Sequence, residues 1–171
     1  MTVLFLRNHL DAELVVTRDV LEAARHAPLA WKPHPASFSL GRLAMHVATI
    51  PGWLPAFTRG ATYDMGAGGP GPDVPASSDE IFARHEQAVA RAHATLDALD
   101  ETALMEPWVL LRDGVAVATM TRAEAISRYV VRHMVHHRGQ LTVYLRLHDL
   151  PVPAMYGDSA DRRLLPPDRP S

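Results

Sequence analysis

The chain has 171 residues, 47% of them apolar and 21% charged, which is enough for one core-forming domain and too little for two of usual size. A formal net charge of −2 leaves no positive excess to hold a nucleic-acid backbone or an anionic membrane, so neither is an expected partner. The absence of cysteine excludes disulfide scaffolds, thiolate-ligated metals and cysteine nucleophiles, and leaves His, Asp and Glu to form any metal site.

From the N-terminus, the apolar run Met1 to Leu6 is broken by Arg7, His9 and Asp11, too short for a secretion signal or a membrane span, so a cytoplasmic protein is expected. Leu6, Leu10, Leu14, Val20 and Leu21 recur at helical steps, predicting a first helix over 4–26 that closes before Pro28. Ser37 or Ser39 can cap a second helix carrying Leu43, His46, Val47, Ile50, Trp53 and Phe57, with Pro51 expected to kink it one turn after His46. Residues 60–75, rich in Gly and Pro, read as a loop or linker. Ser77 with Glu80 forms a capping-box pattern opening a third helix through Leu99. Trp108 to Leu111 and Val115 to Met120, joined by Arg112-Asp113-Gly114, predict a short β-hairpin. Thr121 with Glu124 opens a fourth helix that can run to about His148. The proline-rich remainder reads as an extended tail, packed in part at Tyr156. The organisation expected is therefore a helical domain over 1–150 and a tail over 151–171.

Ten histidines and no thiolate make imidazole the natural carrier of chemistry. At about 100° per residue, Ile126, Val130, His133, His137, Leu141 and Tyr144 fall in one stripe of the fourth helix, and His133 and His137 at i and i+4 can converge on one ion. His46 shares an apolar stripe with Leu43, Ile50 and Trp53, so a third imidazole points inward. Each buried polar group left without a partner costs roughly 1–3 kcal/mol, a cost that a shared divalent ion removes. Three imidazoles on such an ion leave a coordination position for water or substrate. Met134 follows His133 where a zincin has its glutamate, and no glutamate has a histidine three residues on, so metalloprotease and di-iron patterns are absent. His9, His26, His34, His85, His93, His136 and His148 read as surface or hydrogen-bonded residues. Arg138 suits either an anion or a structural ion pair, and Gly139, costly inside a helix, suggests close approach of another backbone. Val131, Val135 and Val143 suggest that the fourth helix is covered on several sides, at the centre of the fold or at a dimer interface.

The segment His133-Met-Val-His-His137-Arg-Gly-Gln140 resembles the signature of the DinB family of DinB/YfiT-like metalloenzymes. Leu40-Gly-Arg-Leu-Ala-Met-His46-Val resembles that family's second-helix metal histidine, and Val152-Pro-Ala-Met-Tyr156-Gly-Asp-Ser its C-terminal tail. The resemblance implies an all-α four-helix bundle, usually a homodimer, with a divalent metal, zinc or nickel, held by His46, His133 and His137. It also implies thiol-dependent transfer or isomerisation of a small-molecule substrate, with a low-molecular-weight thiol such as bacillithiol or mycothiol as cosubstrate. No catalytic side chain beyond the ligands can be nominated, because no acidic residue stands at fixed spacing from them. The alternative is a metal-binding stress protein without turnover.

Overall fold

The structure, a computed structural model, describes residues 2–67 and 74–164; it is mostly helical, with one small three-stranded sheet. Helix α1 (Val3–Ala23) starts where Thr2 Oγ1 accepts a hydrogen bond from the Phe5 amide at 3.1 Å, which satisfies a donor that the first turn leaves free. Its buried face, Leu6, Leu10, Leu14, Thr17, Val20 and Leu21, keeps the spacing seen in the sequence. Ser39, rather than Ser37, caps α2 (Leu40–Thr49) through the Arg42 amide.

The single bent helix expected over 40–57 is instead three segments. Pro51 has no amide proton to continue the ladder, and the chain tightens into a 3₁₀ turn (Ile50–Trp53) before resuming as α3 (Leu54–Thr58). The expected loop also needs correction, because Thr62–Asp64 forms β1, paired in parallel with β2 (Pro107–Arg112). Single-strand periodicity cannot reveal three residues recruited by an edge contributed from far along the chain. The rest of that glycine-rich segment, 68–73, lies outside the described residues, as does 165–171 of the tail.

Ser77 caps α4 (Ser78–Asp97) through the Glu80 amide, while the Glu80 carboxylate accepts from Ala76 rather than closing the box on Ser77. A short α5 (Glu101–Leu104) leads to β2, which pairs antiparallel with β3 (Val115–Thr121) across a turn where Asp113 and Gly114 take φ of 50° and 79°. Asp64 binds that turn to β1, its carboxylate accepting from the amides of Asp113 and Gly114 at 3.0 and 2.8 Å. Thr121 and Glu124 form a complete capping box at the start of α6 (Arg122–Ile126). Arg122 is buried there and donates to the Phe57 and Gly60 carbonyls, tying α6 to the end of α3.

The fourth helix of the sequence reading is interrupted. A π-helical turn over Ser127–Val131 separates α6 from α7 (Arg132–Arg146), and that wider turn shifts the helical register by about one residue. The buried stripe of α7 is therefore Met134, Arg138, Leu141 and Leu145, with His133 and His137 on its flank rather than at its centre. Val143 is 57% exposed, so α7 is not covered on all its apolar sides. Gly139 also departs from expectation: a Cβ built there would meet nothing within 4 Å, so no backbone approaches it. Close approaches fall instead at Gly41, where a Cβ would lie 2.8 Å from that of Leu29, and at Gly66, where it would meet Asp113. Helices α1, α2, α4 and α7 pack around one apolar core that includes Leu10, Leu43, Val47, Ala92, Ile126 and Leu141. Among the described residues no helix is long and apolar enough to cross a membrane.

Candidate metal centre

Two elements converge on the site. His46 lies in the last turns of α2, held in place by the buried Leu43 and Val47 beside it, and His133 and His137 lie one turn apart on α7. The three residues expected from the sequence are brought together: each offers a ring nitrogen, and these atoms all lie within 4.8 Å of one another. Nε2 of His133 is 2.8 Å from Nε2 of His137 and 3.4 Å from Nε2 of His46. A tetrahedral ion with metal–nitrogen bonds of about 2.0–2.1 Å separates its ligand nitrogens by about 3.3 Å, so the cluster is close to that size.

The tautomers sharpen the fit. Nδ1 of His137 is 2.7 Å from Oε1 of Gln140, an acceptor only, so this ring carries its proton on Nδ1 and leaves Nε2 as a bare lone pair. His133 has a backbone hydrogen bond at Tyr129, one turn earlier. The two Nε2 atoms lie 2.8 Å apart, close enough for both to reach one divalent ion. Gln140 belongs to the motif of the sequence reading without having a role there, and its role becomes visible only once the ring orientations are known.

Burial also keeps the rings neutral. It is the largest cause in all three cases: His46 is pushed down from 6.5 to about 4, helped by the neighbouring histidines and Arg42. His133 and His137 are lowered in the same sense, with the hydrogen bonds to Tyr129 and Gln140 opposing the shift in part. Near neutral pH the nitrogens are therefore free to act as ligands, and no proton must leave first.

Aromatic rings frame the cluster. Phe38 lies edge-on to His46, and Trp53, placed by the turn at Pro51, meets both His46 and His133 at centroid distances of 5.3 and 5.4 Å. On the far side of Trp53 and His133 a cavity of about 860 Å³ opens, walled by Phe57, Leu110 and Tyr129. No local pattern signals this cavity, since its walls come from α3, α4, β2 and the π-helical turn.

The other histidines are placed outside the cluster. His85 is buried against the Ala48 carbonyl at 3.2 Å, His93 pairs with Asp11 at 2.7 Å, and His148 packs edge-on to Trp31. His136 is exposed on the outer side of α7. Arg138 makes a structural ion pair with Glu13 at 2.6 Å and is fully buried, which excludes a direct contact with a ligand.

Comparison with known proteins gives one family and one fold. The model of the DinB family matches residues 3–164. A crystal structure of a DinB-like protein from Bacillus cereus is similar at a TM-score of 0.67 and 23% identity, covering 89% of this chain and 95% of that one. No curated protein matches the sequence.

Proposed function

The chain belongs to the DinB family, and from that premise we propose that it is a divalent-metal-dependent enzyme whose ion is held by His46, His133 and His137. The observation that carries the reading is the convergence of three imidazoles whose ligand nitrogens all lie within 4.8 Å of one another, Nε2 of His133 being 2.8 Å from that of His137 and 3.4 Å from that of His46. A bound zinc or nickel ion supplies Lewis acidity, lowering the pKa of a thiol or water so that a nucleophile exists at neutral pH. The protein's own residues set the conditions for it. Gln140 and the Tyr129 carbonyl fix the ring orientations of two ligands. Phe38 and Trp53 pack against the cluster, and the cavity beside His133 gives a small molecule access to it.

Thiol-dependent transfer or isomerisation is the reaction class we propose, with a low-molecular-weight thiol as cosubstrate. The adjoining cavity favours turnover over the alternative of a closed, non-catalytic metal store. Elemental analysis of protein purified without a metal-affinity tag tests the centre. Near-stoichiometric metal is expected in the wild type and its loss in H46A, H133A and H137A; a wild type that takes up none after reconstitution overturns the reading.

A further inference from the structure

The cavity beside the cluster has a charge pattern that the metal centre does not account for. Arg59, at the end of α3, and Arg91, on α4, both line it, and neither guanidinium has an ion pair or a side-chain hydrogen bond among the described residues. No carboxylate is among the described lining residues. The nearest in sequence, Asp64, stands between the lining residues Tyr63 and Met65, but its oxygens are engaged by the amides of Gly66, Asp113 and Gly114. Among the described residues Arg7, Arg18, Arg25, Arg122, Arg138 and Arg146 are in ion pairs, whereas Arg59 and Arg91 face the cavity without one. Two unpaired guanidiniums therefore share one concave site with the aromatic surfaces of Trp53, Phe57 and Tyr129, and His133 forms part of the same wall.

We infer that this cavity binds a small organic anion with an aromatic or other apolar body, its carboxylate or similar group held by Arg59 and Arg91 and its body lying along Trp53, Phe57 and Tyr129. Guanidinium groups match planar oxyanions through paired, charge-assisted hydrogen bonds, and the apolar walls remove the body of the ligand from water. The inference deepens the proposed function by naming the substrate class of the same site, yet the anchoring arginines do not depend on the ion.

The test uses metal-free protein, so that a carboxylate cannot bind through an ion. Calorimetric titration compares 4-phenylbutyrate with its uncharged analogue 4-phenylbutanamide on the wild type, the R59Q/R91Q double variant and R84Q. Arg84 is exposed on α4 and outside the cavity, so R84Q removes one positive charge without touching the site. The acid is expected to bind about tenfold more tightly than the amide to the wild type and to R84Q. In R59Q/R91Q the two should bind alike. Both replaced side chains are exposed, and an unchanged circular dichroism spectrum confirms the fold of each variant. Equal affinity of acid and amide for the wild type, no saturable binding of either, or a preference that survives the double substitution overturns the inference. Because no metal is present, these outcomes are independent of the elemental analysis that tests the centre itself.

Discussion

His137 and Arg138 are adjacent on α7, and both carry polar side chains into a mainly apolar interior, but their surroundings differ in kind. Arg138 donates to the Glu13 carbonyl and to Thr17 at 2.9 Å each, to the Glu13 carboxylate at 2.6 Å and to the Tyr156 hydroxyl, and only its Nε lacks a partner. Tyr156 in turn donates to Glu13 at 2.6 Å, so α1, α7 and the tail meet at one closed network. The histidine cluster is held from outside by Gln140 and Tyr129, and its inner nitrogens converge on one another at 2.8 and 3.4 Å. A network in which nearly every donor finds an acceptor rigidifies a fold, whereas imidazoles that converge on one point can take a cation between them. The first is structural and the second is the place to look for chemistry.

The comparison breaks most visibly through stability. Replacing Arg138 by methionine leaves the Glu13 carboxylate buried without its counter-ion, and a loss of about 3–5 kcal/mol is expected in urea denaturation of metal-free protein. H133A, by contrast, should change metal-free stability far less, since His133 is only partly buried and its removal leaves no buried charge without a counter-ion. Equal losses in the two variants would dissolve the distinction between closed and open networks.

Metal affinity reads the other side of the comparison. Q140L removes the acceptor that fixes the His137 proton, and zinc affinity is expected to fall about 10- to 100-fold by competitive chelator titration, with the metal-free melting temperature little changed. An unaltered affinity would show that ring orientation is set by packing alone.

Acid provides a third contrast. The three histidines are held below their ordinary value of 6.5, so above that pH they are neutral in both folded and unfolded chains and contribute no pH dependence. As pH falls through 6.5 the unfolded chain takes up protons that the folded one resists, and stability is lost progressively until His46 itself titrates near 4. Urea midpoints of metal-free protein should fall between pH 7 and 4.5, and the slope should flatten in H46Q. A slope unchanged by that substitution would assign the acid sensitivity to other groups.

The smallest effect is expected at Tyr156. Its hydroxyl, pushed up to about 12 mainly by burial and then by the hydrogen bond to Glu13, stays protonated and links tail to core. Y156F should cost about 1 kcal/mol, the usual net value of one hydrogen bond. Proteolysis of the tail should become faster in the variant, and an unchanged rate would show that Pro153, which is buried, anchors the tail by itself.

Much of this was legible in the chain itself. The i,i+4 pair His133 and His137, the inward position of His46 and the caps at Ser39, Ser77 and Thr121 all follow from local spacing, because helical periodicity and capping are determined within a few residues. The tertiary structure decided what local spacing cannot encode. Trp53 reaches the cluster through the turn at Pro51, and the π-helical turn moves both α7 histidines to the flank of the buried stripe. Gln140 acquires its role from a ring orientation, and β1 from a partner strand more than forty residues away. Arg59 and Arg91 become a pair only when α3 and α4 fold against one cavity. Each of these depends on contacts between segments distant in sequence, whose energies arise only after the core has closed.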